Sequence, residues 1–300
     1  MANPTPPPTS SVPRGPKQGL QAGEARISLL IQGAPGAGKT LVGSHFPGLY
    51  VFDFDRGFAP YAARFSKARY YDDYCALDKE VPPRAFKQFC EGPESDFEKA
   101  LRDPECQTIM VDTVAGLQQS ILEWSIYQRL KGAVAKSNLA KPERDDYGWA
   151  LQFGLRTINA IKASGKNLIV TAHEDIADDD VVSAQGALRK KVLPRTVGSL
   201  KHDLAKHFRL YWGIEAVFDP VAKRTRHYLT TQPSQFGRDF KTAYDGGLFP
   251  ERMDITGQDT YALIHGPIMA YFERLRVSAV AGAATGVPAT PASGGTTVAK

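Results

Sequence analysis

Four short apolar runs frame this chain: RISLLI (26–31), LYVFDF (49–54), QTIMVD (107–112) and NLIVTA (167–172). Each is rich in β-branched or large apolar residues and lacks the alternation of a half-wetted strand, so each predicts a strand covered on both faces. Val114, Leu117, Ile121 and Trp124, and later Leu151, Leu155, Ile158 and Ile161, recur at helical spacing and predict amphipathic helices between the strands. Strand and helix in alternation predict a mostly parallel central sheet flanked by helices, with right-handed crossovers. Beyond residue 207 the texture changes: FRLYWGIEAVFD and RTRHYLTT predict two antiparallel strands joined near Asp219-Pro220. The expected fold class is therefore α/β, with antiparallel strands toward the C-terminus.

The ends differ from this pattern. Residues 1–23 carry six prolines, at 4, 6, 7, 8, 13 and 16, and predict an extended tail whose PPP run can also serve an aromatic groove as a ligand. Residues 278–300 are small and almost uncharged, a second disordered tail, which leaves one domain over 24–277. Hydrophobic content of 42% and charged content of 23% are ordinary for a globular domain. No apolar run approaches the ~20 residues of a spanning helix and the start has no signal-peptide character, so a cytoplasmic protein without a membrane partner is expected. Cys75, Cys90 and Cys106 form no CxxC pair and have no histidines at zinc spacing; they read as thiols in a reducing compartment. The net charge of +5 is mild, so any nucleic-acid argument has to come from where the charges sit.

The strongest chemical signal is QGAPGAGKT, which meets GxxxxGK[ST] in full at Gly33, Gly38, Lys39 and Thr40, directly after a strand. The stretch Gly33, Ala34, Pro35, Gly36, Ala37, Gly38 curls so that backbone N–H groups face a phosphate, and a helix opening behind it adds its dipole. Lys39 is expected to bridge β- and γ-phosphates and the Thr40 hydroxyl to ligate Mg²⁺. Asp112, at the end of TIMVD, is the second metal-side acid; Asp112 or Thr113 can equally cap the following helix. Asp53 and Asp55 share one side of the chain if the strand of VFDFDRG continues. His173 and Glu174 emerge from the end of NLIVTA, where His173 can donate to a γ-phosphate and pass the change onward.

The order of these motifs is similar to a RecA-like ATPase core, which implies ATP and Mg²⁺ as ligands. On that resemblance Asp55 falls at the water-activating acid, with Asp53 as the alternative, and His173 stands where the core carries a glutamine. Together GAPGAGKT, VFDFDRG, IMVDTVAGL, DDYGWA and LIVTAHE resemble the phage ATP-binding (AAA/P-loop) family with a RecA-like core, over about residues 26–245. That family includes single-strand-annealing and recombinase proteins. The resemblance implies binding of single-stranded DNA, a single-strand-binding protein as partner, a homo-oligomeric ring or filament, and host cytoplasm.

Charge placement bears on the DNA expectation. Residues 181–209 hold Arg189, Lys190, Lys191, Arg195, Lys201, Lys206 and Arg209 against Asp203 alone, an excess of 7 − 1 = +6. Cations on phosphates release counterions and bind without reading sequence. A second basic loop runs from Arg129 through Lys131, Lys136 and Lys141 to Arg144. YYDDY (70–74) is aromatic, but its acids repel phosphate, so it reads as surface or strand edge. Arg238 and Lys241 are candidates for a basic residue reaching a neighbouring subunit's ATP. The expected function is a DNA-stimulated ATPase promoting annealing or strand exchange; the alternatives are a nucleotide-switched assembly factor acting through a protein partner and a helicase loader.

Overall fold

The computed structural model describes residues 26–58, 65, 68–74, 83–90, 92–130, 141–182, 188–196, 200–233, 240–244 and 247–285. Residues 1–25 and 286–300, and with them most of both expected tails, lie outside the described residues, as do Cys75, Lys131, Lys136 and Arg238.

β1 (Ser28–Gly33), β2 (Leu49–Asp53) and β4 (Thr108–Asp112) are buried along their whole length, as their apolar runs predict. With β3 (Ala68–Asp73), β5 (Asn167–Val182), β6 (Leu188–Pro194), β7 (Leu210–Asp219), β8 (Arg224–Thr230), β9 (Lys241–Thr242) and β10 (Arg252–Asp254) they make one ten-stranded sheet. Its main path runs β10-β8-β7-β1-β5-β4-β2-β3; β6 pairs with β5 and β9 with β7. Along that path the six strands β7-β1-β5-β4-β2-β3 are parallel, whereas β6, β8, β9 and β10 attach antiparallel; β8 to β10 make the C-terminal antiparallel part expected of the sequence. The first four residues of YYDDY fall on β3, the edge strand, and the last, Tyr74, is buried just beyond it.

Side chains one apart along a strand point to opposite faces, so each central strand feeds two cores. Leu30, Phe52, Val111 and Val170 join the core beneath α1 (Ala85–Cys90), α2 (Asp96–Arg102), α3 (Val114–Arg129) and α4 (Arg144–Ala163). Leu29, Ile31, Val51 and Met110 join the other core, beneath α6 (Thr260–Thr285); a short α5 (Leu200–Asp203) lies between β6 and β7. Both helical periodicities are borne out: Val114, Leu117, Ile121, Ile158 and Ile161 are buried.

Three expectations need correction. The segment after the phosphate loop is no α-helix but a six-residue 3-10 turn, Thr40–His45. Pro47 accounts for its end, because it drives Phe46 to extended backbone (φ −71, ψ 137). An aligned dipole is correspondingly weak there, and attraction for an anion falls to Lys39 and the loop N–H groups. β5 does not stop at Ala172 but leaves the sheet edge and returns as β6, pairing Asp180 with Lys190 and Asp175 with Leu193. β2 ends at Asp53, so Asp53 and Asp55 do not share a face.

Candidate nucleotide site

Sheet order brings four strand ends to one edge. Gly33 on β1 lies level with His173 on β5, and Asp53 on β2 level with Asp112 on β4, with β5 between β1 and β4. Residues far apart in sequence thereby meet around the loop Gly33–Thr40.

Asp112 is 2% exposed and both its oxygens are engaged. The Thr40 hydroxyl donates to Oδ2 (2.7 Å) and the Thr171 hydroxyl to Oδ1 (2.5 Å). Burial pushes the carboxyl above its ordinary range, while Thr171, Thr40 and the Lys39 ammonium pull it back. The helix-capping role falls to Thr113, whose Oγ1 accepts the Gly116 N–H (3.3 Å), and not to Asp112.

Lys39 is also buried, at 6%. Its Nζ donates to Gly33 O (3.0 Å) and Ala34 O (2.9 Å) and lies 3.1 Å from His173 Nδ1. An ammonium can only donate, so Nδ1 accepts and Nε2 carries the hydrogen. That Nε2 lies 2.6 Å from Asp55 Oδ2, completing the line Lys39, His173, Asp55. Burial pulls the Lys39 ammonium below the usual lysine range, against the attraction of Asp112, Asp55 and Glu174, so Glu174 belongs to the same field.

Asp53 and Asp55 have separate roles. Asp53 is wholly buried and accepts three backbone N–H groups, Asp55 (3.0 Å) and Gly57 (3.2 Å) on Oδ1 and Phe58 (2.9 Å) on Oδ2. Burial pushes its carboxyl up to about 6, with the Asp112 charge adding to the effect and the three N–H groups opposing it. It organises the turn that presents Asp55, whose side chain is 46% exposed.

A family model described as AAA domain matches residues 25–236. The chain belongs to the AAA-domain family. With its own P-loop geometry this makes it a P-loop ATPase of the AAA kind. The KaiC-like protein PH0186 of the hyperthermophile Pyrococcus horikoshii OT3 is similar in structure over 69% of this chain and 79% of that one, at 13% identity and a TM-score of 0.35. No curated protein matches the chain.

The residues of this AAA domain fit ATP with a divalent cation. Gly36 and Gly38 adopt φ +76 and +94, the left-handed backbone that lets the loop curl. A Cβ on Gly57 would come within 3.1 Å of Asp112 Oδ2 and 3.3 Å of Thr40 Oγ1, so that glycine keeps space beside the two oxygens able to ligate Mg²⁺. Reading the sequence did not single out Gly57 or Thr171. The Gly of DRG and the Thr of LIVTAHE were visible, but nothing local ties them to Asp112.

The expected outer residues are dispersed. Lys241 pairs with Tyr211 near the start of β7, toward the edge away from Gly33, where burial and Lys162 pull its ammonium down. Arg195 follows β6, its N–H donating to His173 O (2.7 Å), and Lys201 lies 4.0 Å from Asp175. Arg189, Lys190 and Lys191 stand on β6 opposite a stretch of β5 that carries Asp178, Asp179 and Asp180. Across 174–194 the count is 3 − 5 = −2, because the paired strand carries acids that lie outside the 181–209 window. Arg129 is committed internally: its guanidinium meets Asp146 (2.9 Å) and Glu143 (2.7 Å) and ties α3 to α4. No helix among the described residues is long and apolar enough to cross a membrane.

Proposed function

We propose that the chain is a Mg²⁺-dependent ATPase whose nucleotide state is passed to single-stranded DNA, in the manner of a phage recombination protein. The observation that carries the reading is the line Lys39, His173, Asp55 beside the Thr40–Asp112 pair. Lys39 and the loop N–H groups bind the phosphates, and Thr40 and Asp112 hold the cation, which supplies charge neutralisation when bound. Asp55, exposed at the strand edge, takes a proton from water through its carboxylate. When Lys39 turns to a phosphate it gives up His173 Nδ1, and β5 carries that change past the sheet edge into the β5–β6 hairpin. Lys39→Ala is expected to abolish nucleotide binding, and Asp55→Asn to lower kcat about a hundredfold with KM little changed. Full ATPase activity in either variant contradicts the assignment of that residue.

For DNA the support has moved from the hairpin to the track behind it. Arg195, Lys201, Lys206 and Arg209 face Asp203 alone over 195–209, and Lys162 and Lys241 lie near the end of that track. Burial and mutual repulsion pull the Lys162 and Lys241 ammoniums and the His207 imidazole downward, as in a cluster that a polyanion relieves. Lys162→Ala with Lys241→Ala is expected to weaken binding of a labelled single strand more than the triple exchange of Arg189, Lys190 and Lys191. Absence of binding at low salt sinks the DNA part and leaves the ATPase part standing. A protein-partner reading draws on the tip of the β7–β8 hairpin, where Phe218 is 63% and Val221 92% exposed; a partner retained only with ATP, and no DNA binding, would favour it.

A further inference from the structure

A side chain from β8, a strand that no motif marks, touches the phosphate loop. His227, on β8, places Nδ1 3.0 Å from Ala37 O. A carbonyl only accepts, so Nδ1 carries the hydrogen there and donates it. The ring also lies against the bare face of Gly38: a Cβ at that position would come within 2.6 Å of His227 Nδ1, 3.0 Å of Cε1 and 3.3 Å of Cγ. The imidazole thus fills the space that a side chain at 38 would need, while Gly38 holds φ +94.

The ring is itself fixed from behind. The His227 N–H donates to Thr256 Oγ1 (2.8 Å) and its carbonyl accepts from the Ile255 N–H (2.9 Å). Asp254 sets Thr256 by accepting its N–H (2.9 Å), and Arg226 joins Asp254 (3.1 Å) to Asp219 (2.8 Å) across the hairpin. A hydrogen-bonded frame from β10 and the β7–β8 ribbon therefore reaches the loop at one peptide, Ala37-Gly38.

In a trans peptide the C=O and N–H point in opposite directions. Holding the Ala37 carbonyl toward His227 turns the Gly38 N–H away from it, to the side on which the loop grips phosphate. We infer that His227 is a positioning residue of the nucleotide site, orienting the Ala37-Gly38 peptide for phosphate binding without itself touching the nucleotide. This rests on the ATP-binding reading above.

The test is titration of the full chain with a fluorescent ATP analogue and Mg²⁺, alongside thermal melts without nucleotide. His227→Ala removes donor and ring and is expected to weaken binding about tenfold. His227→Asn returns an amide N–H near the Nδ1 position and is expected to recover most of that loss. His227→Phe keeps a ring over Gly38 without a donor and should stay near the Ala value. Wild-type affinity in the Ala variant overturns the inference, and so does an Asn variant as weak as Ala when both melt alike. A wild-type chain that binds no analogue refutes the ATP-binding reading itself, and the inference falls with it.

Discussion

Asp53→Asn isolates the cost of one buried carboxylate. In the folded chain burial holds this group at about 6, against an ordinary 3.8. Between about pH 4 and 6 the folded state binds more protons than the unfolded one, so stability from this group is present at low pH and lost as pH rises through 6. At about 1.36 kcal/mol per pK unit the loss is about 3 kcal/mol by pH 7.5. Asn keeps an oxygen for the Asp55 and Gly57 N–H groups but sets an amide against the Phe58 N–H, a pH-independent cost of about 1–3 kcal/mol. Asp146, Asp219 and Asp254 are held below their ordinary range and give the opposite slope, but they are common to both proteins and cancel in the difference. Urea unfolding of both chains with EDTA and no nucleotide, from pH 4 to 7.5, should show Asp53→Asn gaining about 3 kcal/mol relative to wild type as pH rises. A difference constant to about 0.5 kcal/mol across that range would falsify the account of Asp53.

Two further substitutions probe Asp112. Thr171→Val removes the donor to Oδ1 and should cost about 1–3 kcal/mol by urea unfolding at neutral pH, with a larger fall in ATPase rate; an unchanged rate would separate Thr171 from the site. Gly57→Ala puts a methyl beside Asp112 Oδ2 and Thr40 Oγ1, and should raise the Mg²⁺ concentration for half-maximal activity roughly tenfold while leaving the melt near wild type. An unaltered Mg²⁺ requirement would show that the cation is held elsewhere.

Much of the framework was legible because it is local. A run such as TIMVD reports its own burial on both faces, and GxxxxGKT reports a backbone path that only glycines permit. The strand-edge reading of YYDDY holds as well, since ARYYDD has no continuous apolar run and pairs only as the edge strand β3. Reading along the chain ended β5 at Ala172, because HEDIADDD reads as a polar loop until β6 lies beside it. The charge count over 181–209 was also cut by sequence position: it left out Asp178 to Asp180, on the strand that β6 pairs with.

The α/β class, the phosphate loop and the acids near three strand ends can be read along the chain, because apolar period and glycine-rich turns are properties of neighbouring residues. The rest depends on how the strands are ordered in space. Placing β5 between β1 and β4 joins His173 to Lys39 and Thr171 to Asp112, and curling the chain beyond β2 assigns Asp53 to the backbone and Asp55 to the solvent edge. Attaching β8 at the far side of β7 brings His227 onto Gly38, across 190 residues between its hydrogen-bonding partners. Hydrogen bonds and charge balance act over a few ångströms, and only sheet order sets which residues come that close.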